Sequence, residues 1–200
     1  MLLVTILLIG ILIGLLLAWL FFRRPSAPPP PPPPPGPPPK IPDQFDPPAL
    51  SSTLQARLLG TPADGSAAPA RPAANQVIWV DSGDEVLVHL DSIQAKILDK
   101  LVLISIDLES DQTGRTPLIV SFALGGAADP AGLVAATDEY PRGDGRLAAR
   151  WGEAVQAALW STLLRLAQDH ADERGKSPVG ISTSSGALTL HAGDPVTTAL

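Results

Sequence analysis

Two hundred residues, 17% of them charged and none of them cysteine, leave room for one ordinary domain plus accessory segments. They exclude disulfides, thiolate nucleophiles and cysteine-held metal centres. The net charge of −6 is unevenly spread: residues 77–200 hold seventeen acidic and nine basic side chains, a field that repels phosphate backbones and anionic head groups, so nucleic acid is not an expected partner.

Leu2–Phe22 is free of charge and broken only by Thr5, Gly10 and Gly14. As a helix rising about 1.5 Å per residue it spans about 31 Å, enough for a hydrocarbon core of about 30 Å. Trp19, Phe21 and Phe22 gather at one end, where aromatic rings favour the interface, and Arg23-Arg24 close the run. A cleaved signal peptide fits less well, because the apolar run is too long and no basic residue precedes it. Residues 1–24 therefore read as a single-pass transmembrane anchor whose partner is membrane lipid through residues 2–22. The two arginines place the C-terminal part on the cytoplasmic side. Gly10 and Gly14 form a G-x-x-x-G that would let a second helix approach, giving a possible homodimer.

Residues 25–76 read as a disordered, Pro-rich linker. Pro28–Pro35 is an unbroken proline run, followed by Gly36 and Pro37-Pro38-Pro39. Such a segment can build neither helix nor ladder and favours polyproline II, so residues 25–42 would reach about 55 Å. A spacer explains it without invoking an SH3-type or WW-type reader. Inside the linker, Leu50, Leu54 and Leu58 recur at spacing four ahead of Gly60 and Pro62, which predicts a short amphipathic helix over residues 49–59.

Residues 77–194 read as a small α+β domain, followed by a tail at 195–200. A strand is expected at 77–80, ending at Asp81-Ser82-Gly83-Asp84. Period-two alternation marks further strands: Val86, Val88 and Leu90; Val102, Ile104, Ile106 and Leu108; and Leu118, Val120, Phe122 and Leu124. Residues 92–100 fit either a helical turn or an irregular strand extension, and Asp111–Arg115 fits a hairpin connection. Asp129-Pro130 has the form of a cap and first-turn proline, predicting a short helix over 130–137. Asp144 caps a long helix whose stripe is Leu147, Trp151, Val155, Leu159, Thr162 and Leu166, widened by Ala158, Leu163 and Ala167; Gly175 and Pro178 end it. Residues 179–183 and 187–191 close the chain as a hairpin around Ser184-Ser185-Gly186. The expected architecture is two layers, an antiparallel sheet packed by one long helix in the order β-β-β-α-β-β.

Chemistry is sparse. Asp107, Glu109 and Asp111 share one face of a strand end and resemble an oxygen-ligand set. As a calcium loop the string fails, with Gln112 where glycine belongs and Leu118 where glutamate belongs. His89 and Asp91 stand two apart on one strand and fit a base and its orienter. His170 suits the C-terminal end of the long helix, and His191 ends the last strand. Arg142-Gly143-Asp144 is better explained by the helix cap, and Gly125-Gly126 lacks the lysine of a phosphate loop. No catalytic, cofactor-binding or metal residue is assigned, and no cofactor is expected. The layout points to a membrane-anchored adaptor or scaffold that offers an acidic α+β interaction domain to a protein partner. The alternative is a tethered hydrolase or divalent-metal enzyme using Asp107, Glu109 and Asp111 or His89 and Asp91.

Overall fold

The computed structural model describes residues 40–58, 73–126, 129–130, 133, 140–184 and 186–194. In chain order they form β1 (Gln44–Phe45), α1 (Pro47–Arg57), β2 (Gln76–Asp81), β3 (Asp84–Leu98), β4 (Leu101–Ser110), β5 (Gly114–Ala123), β6 (Gly125–Gly126), β7 (Asp129–Pro130), α2 (Gly145–Asp172), β8 (Ser177–Ser184) and β9 (Ala187–Gly193). Strands β2-β3-β4-β5 make a four-stranded antiparallel sheet, β1-β9-β8 a three-stranded one, and β6-β7 a two-stranded ribbon. The chain is an α+β protein with antiparallel sheets and one long helix. The expected anchor, Leu2–Phe22 with Gly10 and Gly14, and the proline run lie outside the described residues. Among the described residues no helix is long and apolar enough to cross a membrane.

The alternation expected of the main sheet is what buries it. Val102, Ile104, Ile106 and Leu108 of β4 are sealed, as are Leu118, Val120 and Phe122 of β5. The covering layer is the stripe of α2: Leu147, Trp151, Val155, Ala158, Leu159, Thr162, Leu163, Leu166 and Ala167 are all buried, and Trp160 stacks on Phe122 with ring centroids 5.6 Å apart. Thr162 turns its hydroxyl back onto Ala158 O at 2.8 Å, so its own donor is not stranded in the core. Asp144 caps the helix by accepting from the N–H of Arg146 and Leu147.

Strand β3 is longer and less regular than the alternation suggests. His89 pairs with Asp107 and the next paired residue, Gln94, with Ser105, so β3 spends five steps where β4 spends two. The three extra residues form a bulge that switches the buried set from Val86, Val88 and Leu90 to Ile93 and Ile97. Ser92 holds the bulge shut, donating to His89 O at 2.6 Å and accepting from Asp107 N at 2.7 Å. Residues 92–98 are thus the irregular strand extension.

The linker boundary moves. Residues 40–58, assigned to the linker by their prolines, form a strap that belongs to the domain core. Leu50 and Leu54 are 0% exposed, Leu58 2% and Phe45 3%. Asp46 caps α1 by accepting from Ala49 N at 2.8 Å, and Pro47-Pro48 fill the first-turn positions that need no N–H. Past the bulge β2 no longer reaches β3, and α1 covers that edge instead: Ala95 N donates to Ser51 Oγ at 2.9 Å and Gln55 Nε2 to Ile93 O. β1 adds two residues beside β9, with Leu190 N donating to Asp43 O. Two further expectations change. The β-β-β-α-β-β order is too short: seven described strands, β1–β7, precede α2, four of them in the main sheet, and β8-β9 form a separate sheet with β1 rather than extending the first. Asp129-Pro130 lies in β7 against Gly125-Gly126 instead of opening a helix; the rest of the expected 130–137 helix, Leu133 apart, lies outside the described residues.

Candidate functional site

Both ends of the strap land on the last turn of α2 and the two residues after it. Asp43 accepts from His170 Nε2 at 2.8 Å and from Arg174 at 2.6 Å, Ile41 N donates to Glu173 at 2.8 Å, and Arg57 pairs with Asp169. The His170 bond and then the Arg174 charge hold the Asp43 carboxyl below its usual range. His170 is 2% exposed and is a buttress of the strap rather than a free cation on the helix dipole.

At the opposite end of α2 an open cleft of about 920 Å³ lies between the first two helical turns and the hairpin turns β2–β3 and β4–β5. One wall is the 81–84 turn, where Ser82 and Gly83 both take the positive φ that tight hairpins favour. Arg150 ties that turn to the helix, reaching Asp81 at 2.6 Å and Asp84 at 2.8 Å while lying 4.9 Å over the Trp151 ring. Hydrogen bonds to Asp84 and Asp81 raise the Arg150 guanidinium above its ordinary pKa. The other wall is Ser110–Thr113, closed by the Ser110 and Thr113 hydroxyls at 2.9 Å. Ile78, Leu87 and Leu147 give the cleft apolar surface.

Register decides what faces this cleft. Ile78, Leu87 and Glu109 stand in one row across β2, β3 and β4, and Gln76, His89 and Asp107 in the next. His89 Nε2 lies 2.7 Å from Glu109 Oε2, and Gln76 Nε2 lies 3.4 Å from His89 Nδ1. With the amide donating to Nδ1, the imidazole donates from Nε2 to the carboxylate. The imidazole is 5% exposed and the side chain of Glu109 43%, so a buried ring aims a partly open acid.

Of the residues singled out in the sequence, Glu109 and Asp111 line the cleft. Asp107 is taken by Arg115 at 2.8 Å, and the strand-end acids do not converge; among the described residues no group of three His, Asp or Glu is placed to hold a metal. His89 finds Glu109 instead of Asp91, whose carboxylate accepts from Asn75 at 2.6 Å. His191 bonds Ser182 at 2.7 Å on the far sheet. Arg146, Arg150 and Gln76 went unnoticed in the sequence; Arg146 and Arg150, one turn apart behind the Asp144 cap, were the available signal.

The fold and site define an acidic α+β head, rooted at one end of a long helix and open at the other. No protein-family model, curated protein or solved structure matches the chain.

Proposed function

We propose that this chain is a single-pass, membrane-anchored adaptor: Leu2–Phe22 lies in the bilayer, the proline run is a spacer, and the acidic head engages a protein partner on the cytoplasmic side. The observation that carries this reading is the polarity of α2. The strap, the last part of the chain to arrive from the anchor, is fastened at residues 169–174, and the cleft opens beside residues 146–151. At about 1.5 Å per residue these ends are about 35 Å apart. A tether fixed at the far end leaves the cleft clear of the attachment point. Asp107, Glu109, His89 and Asp91 are engaged in bonds within the head and the strand-end acids do not gather, which favours the adaptor over a hydrolase or metal enzyme. Gly10 and Gly14 remain the proposed face for pairing two anchors.

The test is carbonate extraction of membranes from cells making the full chain, combined with a photo-crosslinking residue at Gln112 on the cleft rim or at Asp99 on the opposite turn. Membrane retention with a discrete adduct from position 112 and none from 99 supports the proposal. Release of the intact chain into the carbonate supernatant refutes the anchor, and equal adducts from both positions refute the cleft as the engaging surface.

A further inference from the structure

We infer that the cleft takes a lysine or arginine side chain from an extended, basic segment of the partner, with Glu109 as the central acceptor. The inference rests on the adaptor reading and specifies its partner.

Three features carry it. The first is charge. The cleft is lined by the carboxylates of Asp84, Glu85, Glu109 and Asp111 against the guanidiniums of Arg146 and Arg150, a net charge of −2. Arg150 is already spent on Asp81 and Asp84, and Arg115, opposite Glu109 in the sheet, is spent on Asp107. Of the two lining cations, that leaves Arg146 to set against Glu85, Glu109 and Asp111. An arriving cation gains at this end of an already acidic head.

The second is preorganisation. Glu109 does not wait on a mobile stem, because His89 holds Oε2 from inside the sheet and Gln76 sets the ring. Charge-assisted bonds to a fixed acceptor are stronger than bonds to one that must be ordered on binding. The bond from the buried ring orients Glu109 while its carboxylate stays partly open.

The third is shape. The cleft is open, and Ile78 and Leu87 stand in the same row as Glu109. The methylene stem of a lysine or arginine lies along apolar surface while its head reaches an acid beyond it. An enclosed, apolar pocket would suit a small molecule, whereas this trough suits a chain.

The experiment uses the full chain in mild detergent and a fluorescein-labelled nonapeptide of alternating arginine and alanine, with glutamate-for-arginine and glutamine-for-arginine peptides as comparisons. Binding is read by anisotropy. Glu109→Gln keeps the shape and removes the charge, Asp111→Asn removes a flanking charge, and Asp99→Asn removes an equal charge at the opposite end of β3. Expected is saturable binding of the arginine peptide alone, weakened about tenfold by Glu109→Gln, less by Asp111→Asn, and within about twofold of the parent in Asp99→Asn. An unchanged affinity in Glu109→Gln overturns the inference, as does an equal loss in Asp99→Asn or comparable binding of the glutamate peptide. Thermal melts of each variant separate lost binding from lost fold. An adduct at Gln112 to a partner whose contacting segment is neutral or acidic would sink the basic-segment inference and leave the adaptor reading standing.

Discussion

Leu54→Ala tests whether the strap is structure or linker. Leu54 is 0% exposed and sits between Leu50 and Leu58 on the face of α1 turned to the core. Truncating it removes three buried carbons and leaves a cavity that the strap, fixed at β1 and at α2, cannot collapse into. Substitutions of this kind cost about 2–5 kcal/mol, and a site pinned on both sides belongs near the middle, about 3 kcal/mol. For a head of this size that corresponds to a fall in midpoint on the order of 10 °C. The assay is urea unfolding of the full chain followed by circular dichroism at a helix wavelength, with Ser52→Ala as a companion. Ser52 is exposed and bonds only Pro48 O, so its loss should stay within about 0.5 kcal/mol. A Leu54→Ala chain indistinguishable from Ser52→Ala would refute the reasoning, because it would mean that the segment contributes nothing to the folded head.

Ser92→Ala removes the hydroxyl that serves both His89 O and Asp107 N, leaving a ladder donor unsatisfied; a loss of about 1–3 kcal/mol is expected in the same urea assay. Gly152→Ala would put a Cβ 2.9 Å from Pro141, and overpacking of that size costs about 1–3 kcal/mol, read as a lowered melting midpoint. Asp43→Asn probes pH. The folded-state carboxyl is depressed below 3.8, so its contribution is fully present above the unfolded value and disappears as pH falls through the lower folded one. The stability gap between parent and variant should therefore be present at neutral pH and shrink only in acid stronger than about pH 5. No gap at neutral pH, or a gap that persists undiminished into strong acid, would contradict the His170 and Arg174 contacts.

Much of the helix and sheet was legible because each obeys one period throughout. The α2 stripe holds its spacing from Leu147 to Ala167, and Asp144 marks its start. The strap was half legible. Leu50, Leu54 and Leu58 announced a helix, but its cap and first turn, Asp46-Pro47-Pro48, are spelled in the same letters as the proline-rich stretch before it, and composition outvoted pattern. The two residues of β1 are too few to carry any period, and their partners lie over 140 positions away.

The cleft was hidden for a different reason. Counting back without interruption from the Leu98–Leu101 pair would set His89 opposite Ser110. The bulge slides it to Asp107 and brings Glu109 within reach. Which acid the histidine finds is thus fixed by an irregularity that alternation alone does not locate, although the shift of apolar positions from Leu90 to Ile93 was its visible trace. His89 and Asp91 looked paired because they are neighbours on paper, whereas Asp91 falls inside the bulge and answers to Asn75.

That irregular stretch also limits how the sequence can drift. Since side chains on a strand alternate, losing a single residue between Leu90 and Ile93 would ask the segment beyond to present Lys96 to the interior and Ile97 to water, or else dismantle the Ser92 staple. Losing both Asp91 and Ser92 preserves the order of faces but removes the staple itself. Relatives of this protein should therefore differ in length at this point by even steps, and an odd step should come with the histidine–glutamate pair rebuilt or gone.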